Sequence, residues 1–197
     1  MSTSESLSIR ENLSPVLAGL ADVLDGIEPT QLDSPTPCTE FTVTQLREHV
    51  VGWLTAFTDG YRAADGRCSN PDAVQITGTG AEQVREVARG LDRALAEGAA
   101  ERPLWIAESS LPGEMAAQMM LWEYQMHGWD LAVASGQTWK PPVAGVEASL
   151  AFAPAMLTPD YQGEGKPFAP QVAVADGASP LDHLLGLSGR DPGWAAR

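Results

Sequence analysis

Three residues of this chain have the types and spacing to hold a divalent cation: His49, Glu123 and His127. Glu123 and His127 stand four apart, so on a helix they project from one face and can grip a single ion. A catalytic zinc centre wants three protein ligands and one open position for water or substrate, and a helix-borne pair completed by one residue from elsewhere supplies that set. Among the three histidines, His49 is the better third ligand. It lies three after Leu46 and four before Trp53, toward the core side of its segment, whereas His183 follows a Gly/Pro-rich stretch late in the chain. Asp130, three beyond His127, is placed to accept a hydrogen bond from the imidazole edge turned away from a metal and so fix its tautomer. The same spacing suits a residue that merely caps or solvates the helix. A Glu-x-x-x-His pair also occurs as a solvated surface pair worth roughly a few tenths of a kcal/mol. Here the setting favours an ion: Met119, Trp122, Met126 and Trp129 surround the pair, and a carboxylate on an apolar helix face is costly unless it is paired or ligates a cation. Trp53, Tyr124 and Trp129 are candidate walls of a pocket beside that ion, and aromatics of this kind equally well fill a bundle interior.

These residues need helices to present them. Leu13, Val16, Leu17, Leu20, Val23, Leu24 and Ile27 recur at steps of three and four, which predicts a first amphipathic helix. The prolines of Asp33-Ser34-Pro35-Thr36-Pro37-Cys38 end it in a loop. Thr42 and Gln45 have the spacing of a capping box, so the helix carrying His49 begins there. Val84, Val87, Leu91 and Leu95 define a third helix, with Gly78-Thr79-Gly80 as its entry turn rather than a nucleotide loop. Proline-free 114–135 predicts a fourth, with Met115, Met119, Trp122, Met126, Trp129 and Val133 on its buried face and Gly136 as its stop. A further helical stretch follows Pro141-Pro142 to about Met156, then a Gly/Pro-rich loop from Pro159 to Pro170, then a short helix opened by Ser179 and Pro180. No period-two strand pattern stands out. The expectation is an all-α, four-helix bundle over about 8–160 with a short C-terminal helical tail over about 161–197, in one domain spanning 1–197.

Bulk composition narrows the partners. Twenty-six acidic against twelve basic residues give a net charge of -14, with no basic stripe to follow a phosphate backbone, so nucleic acid is not expected. An acidic surface disfavours anionic membranes, and no apolar run approaches the roughly 20 residues that span lipid. The first twelve residues lack the apolar segment of a secretory signal, and two cysteines, Cys38 and Cys68, fit reduced thiols, so a cytoplasmic protein is expected. A homodimer is the default assembly for such a chain. There is no Gly-x-Ser-x-Gly elbow, phosphate-cradling loop or Cys-x-x-Cys.

Three segments carry a resemblance: Pro37-Cys38-Thr39-Glu40-Phe41-Thr42-Val43, Leu46-Arg47-Glu48-His49-Val50-Val51-Gly52, and Trp122-Glu123-Tyr124-Gln125-Met126-His127-Gly128-Trp129-Asp130-Leu131-Ala132. They resemble the DinB/YfiT-like metalloproteins, and within them the actinobacterial group related to the N-terminal domain of mycothiol-dependent maleylpyruvate isomerase. The tail, Pro180-Leu181-Asp182-His183-Leu184-Leu185 through Gly189-Arg190-Asp191-Pro192, is similar to the ending of uncharacterised members. The resemblance implies a four-helix bundle holding zinc or another divalent ion through His49, Glu123 and His127, with mycothiol as a co-substrate activated on the metal. Maleylpyruvate isomerase carries a separate C-terminal domain, whereas this chain runs from its bundle into a short tail, so isomerisation of that substrate is not carried over directly.

Three functions are then open. The first is a metal- and thiol-dependent transferase or isomerase acting on a small electrophilic substrate. The second is a metal-dependent hydrolase or biosynthetic enzyme that uses no thiol, since zinc lowers the pKa of bound water to about 7. The third is a non-catalytic bundle that binds a small ligand and keeps its metal as a structural plug, for which a closed four-ligand site is the mark.

Overall fold

The computed structural model describes residues 2–195, and the chain over that range is all-α apart from one small hairpin. Helix α1 (Ser2–Asp25) starts earlier than the expected bundle edge near residue 8, and its stripe from Leu13 to Leu24 is buried. Helix α2 (Val43–Arg62) opens on the expected capping box: the Thr42 hydroxyl accepts from the Gln45 N–H, and the Thr42 N–H donates to Gln45 Oε1 at 2.9 Å. Helix α3 (Ala81–Ala96) follows a turn closed by Gly80 at φ +85°, a conformation that glycine adopts without strain. Helix α4 (Gly113–Ala134) carries Glu123 and His127, and α5 (Val143–Met156) packs along it. Helix α6 (Pro180–Leu187) is opened by Ser179, which forms a reciprocal cap with Asp182. Helix α1 lies against α3 and α4, and α2 bridges α3 and α4 from the other side, which closes the four-helix core; α5 joins α4 to α6.

Two expectations need correction. Strands β1 (Leu104–Ile106) and β2 (Ser109–Leu111) form an antiparallel hairpin with Ile106 opposite Ser109, where no strand is predicted. Three residues per strand are too few to write an alternating pattern, and the turn is carried by Ala107 at φ +52° instead of a glycine. The hairpin is pinned to the loop after α2: the Trp105 N–H donates to the Gly66 carbonyl, and the Cys68 N–H to the Trp105 carbonyl, both at 2.9 Å. The second correction concerns α4. Met115 is exposed and Met119 and Val133 are only partly buried, while Met120, Leu121, Tyr124, Gln125 and Leu131 are covered. A helix in contact with α1, α2 and α5 at once has no single apolar stripe, so the period of its large residues does not mark one inner face.

One contact sets the depth of α4. The Trp139 ring lies against Gly128 and Gly19, where any Cβ on Gly128 would overlap it. Behind α4, the tail is anchored by a 2.9 Å hydrogen bond from Trp122 Nε1 to Ser188 Oγ and by Phe168 packed on the Trp122 ring. Cys38 and Cys68 are both free thiols. Among the described residues no helix is long and apolar enough to cross a membrane.

Candidate metal centre

Helix α2 turns His49 toward α4 because Val50, Leu46 and Leu54 fix its inner face in the core, and His49 sits at the edge of that face. Helix α4 presents Glu123 and His127 one turn apart on the facing side. The structure brings the three together: one ligand atom from each of His49, Glu123 and His127 lies within 4.8 Å of the others. His127 Nε2 is 3.1 Å from Glu123 Oε2, and the His49 and His127 rings meet edge-on at 5.1 Å between centroids. Phe41 packs against the other side of His49 at 5.0 Å. His183 stands in α6, outside this group.

Asp130 lies where its spacing suggests, with Oδ2 3.1 Å from His127 Nδ1. Its side chain is 0% exposed, so it neither solvates nor caps the helix. A carboxylate oxygen accepts, so His127 carries its proton on Nδ1 toward Asp130 and turns Nε2 toward Glu123 and His49. Sequence reading missed the residue that makes a buried Asp130 tolerable. Arg190, from the tail 60 residues away, donates from Nη2 to Asp130 Oδ2 at 3.0 Å and approaches Oδ1 through Nε at 3.4 Å, while Nη1 binds the Ser188 carbonyl at 3.0 Å. The only sequence sign of it is the Gly189-Arg190-Asp191-Pro192 segment, which reads as part of a tail rather than of a site. A run of partners thus leads from Arg190 through Asp130 and His127 to Glu123.

The electrostatics of the group follow from burial and from this run. Burial pushes His49 down to about 4, reinforced by the His127 charge, so its imidazole is neutral and keeps a free lone pair. Burial would lower His127 as well, but its hydrogen bonds to Asp130 and Glu123 outweigh that and hold it up at about 9. Glu123 and Asp130 would be raised by burial; the bond to His127 is the first counterweight for Glu123 and the Arg190 charge for Asp130, and both stay below the usual carboxylate range. Two imidazoles and one carboxylate around a common point, one imidazole neutral and the other oriented by a buried Asp, are the donor chemistry of a divalent-metal site with open positions. The residues present therefore fit such an ion. A second group, Cys38 with His127 and Asp130, also comes within 4.8 Å. Its thiol is pushed up to about 11 by burial, and Asp130 is already taken by His127 and Arg190, so Cys38 backs the site as a neutral neighbour.

A cavity of about 240 Å³ opens on the three donors, walled by Trp53, Phe57, Ile106, Met119, Met120 and Tyr124. Trp53 and Tyr124 are where a pocket wall is expected. Trp129 is not: it is 6% exposed in the core, because two residues past His127 point to the opposite side of the helix. A larger cavity of about 460 Å³ lies on the other side of His49 and Trp53, with Glu40, Glu48 and Asp72 among its walls.

Residues 13–132 match the profile of the family described as the mycothiol maleylpyruvate isomerase N-terminal domain. Two uncharacterised proteins of Mycobacterium tuberculosis, from strains CDC 1551 and H37Rv, are each 31% identical to the chain over 178 residues, which is 86% of this chain and 91% of theirs. No solved structure matches the chain significantly.

Proposed function

The chain belongs to the mycothiol maleylpyruvate isomerase N-terminal domain family, and from that premise we propose that it is a divalent-metal enzyme that adds a low-molecular-weight thiol, mycothiol, to a small electrophile, the thiol staying in the product of a transferase or leaving again in an isomerisation. The observation that carries this is the meeting of His49, Glu123 and His127 from two helices at the mouth of an apolar cavity. Zinc is the ion best matched to two imidazoles and a carboxylate with a position left open. A divalent ion held there supplies one thing, loss of the proton from a coordinating thiol at neutral pH. The protein supplies the rest. His49 offers a neutral nitrogen, Asp130 and Arg190 keep the His127 ring from turning, and Glu123 balances charge. Trp53, Phe57 and Met119 hold the electrophile and exclude water from it. Tyr124 keeps its phenolic proton, since burial raises it well above its usual value.

The test has two parts on one purified sample. Metal analysis should give about one divalent ion per chain, lost in His49→Ala and in His127→Ala. An electrophile should be converted in a mycothiol-dependent way by the loaded protein and not by these variants, with the thiol consumed in a transfer and recovered in an isomerisation. Full metal retention in both variants removes the site, and no mycothiol-dependent conversion of the electrophile with metal fully bound removes the reaction.

A further inference from the structure

Cavities around the donor triad differ sharply in chemistry, and neither contains a cation among the described residues: no Arg or Lys lines the apolar pocket or the larger groove beyond His49. The nearest guanidinium, Arg190, lies behind His127 with its donors spent on Asp130 and Ser188. Arg67 packs on Trp105, and because successive strand residues face opposite ways, it is on the far side of the hairpin from Ile106. His127, when protonated, is flanked by Glu123 and Asp130. A substrate carboxylate entering the apolar pocket would leave water for an apolar wall beside Glu123, on a chain of net charge -14. The open position of an ion at the triad can partner one carboxylate, and no pocket side chain repays the desolvation of a second. The pocket is also small: about 240 Å³, below the roughly 300–1,000 Å³ of pockets for drug-sized ligands.

We infer that this site selects a small, uncharged, apolar substrate and rejects dicarboxylates, the class to which maleylpyruvate belongs. The inference rests on the reading of the triad as the reactive centre and narrows what reaches it. Specificity is set by the side chains closing the pocket, with Ile106 of the hairpin and Met119 of α4 as the determinants because they line the same cavity from different elements.

Methionine methyl groups report on this without turnover. In the full-length protein as purified, labelled at its methionine methyls, titration with acetophenone should shift Met119 and Met120 and leave Met115 and Met126 in place. Phthalate, a dicarboxylate of similar ring size, should produce the same shifts at least tenfold more weakly. Ile106→Trp, which fills the pocket, should abolish the acetophenone shifts while an unchanged Met126 signal shows the fold intact. Equal response to phthalate, or acetophenone shifts that survive Ile106→Trp, would overturn the inference. Since neither thiol nor catalysis enters the measurement, and metal content is read on the same sample, its failure is separable from failure of the proposed reaction.

Discussion

His127 serves two acceptors at once, Asp130 through Nδ1 and Glu123 through Nε2, and that double duty makes proton and metal rivals. Its pKa, held at about 9, lies above the ordinary histidine value, so the metal-free protein is stabilised by the imidazolium at pH below about 6.5 and loses that contribution as pH rises through 9. An ion at Nε2 must displace the proton. Metal affinity should therefore strengthen roughly tenfold per pH unit from 6 to 8, a slope that chelator competition at three pH values will read. A flat profile would mean that His127 is not a ligand. The cysteines give an independent test at the same scale. Burial pushes both thiols up to about 11, so iodoacetamide should label them slowly at pH 7.5, with the rate climbing past pH 9, where an ordinary thiol near 8.5 has levelled off. Fast labelling at neutral pH would show a more open environment than the one described.

Among the elements, α4 does the most and was the hardest to read. The Glu-x-x-x-His spacing and the core-side placement of His49 were legible, because both follow from helical periodicity over a few residues. Which face of α4 is inward was not, since contact with α1, α2 and α5 covers most of its circumference. Trp129 illustrates the error: large and close to His127 in sequence, it points away from the cavity, whereas Phe57 and Ile106, distant in sequence, line it. The hairpin that supplies Ile106 escaped because a three-residue strand has no period to detect. Gly128 shows how tightly this helix is set. Gly128→Ala drives a methyl into the Trp139 ring, and denaturant unfolding should show a loss of about 1–3 kcal/mol, typical of overpacking in a close-packed interior.

Over the whole molecule, the tail is part of the site, and this is where sequence reading had least to work with. Arg190 approaches Asp130 only through the tertiary path of the segment after α5, so no local pattern announces the pair. Arg190→Met leaves a carboxylate buried and unmatched. It should cost about 3–5 kcal/mol in unfolding free energy, and metal affinity should fall about 10- to 100-fold, as is usual when the partner orienting a histidine is disturbed. Arg190→Lys keeps the charge without the planar set of donors and should recover part of the stability. Unchanged metal affinity in the methionine variant would show that Asp130 orients His127 unaided.

The reach of Arg190 back to Asp130 also imposes an order of events during synthesis. The ribosome delivers His49, Glu123 and His127 well before Arg190, so a nascent bundle holds its donors while the carboxylate behind them is still uncompensated. Until the tail emerges and folds back, Asp130 holds the His127 ring without Arg190 to fix it, so the fully organised donor set waits for the tail to dock.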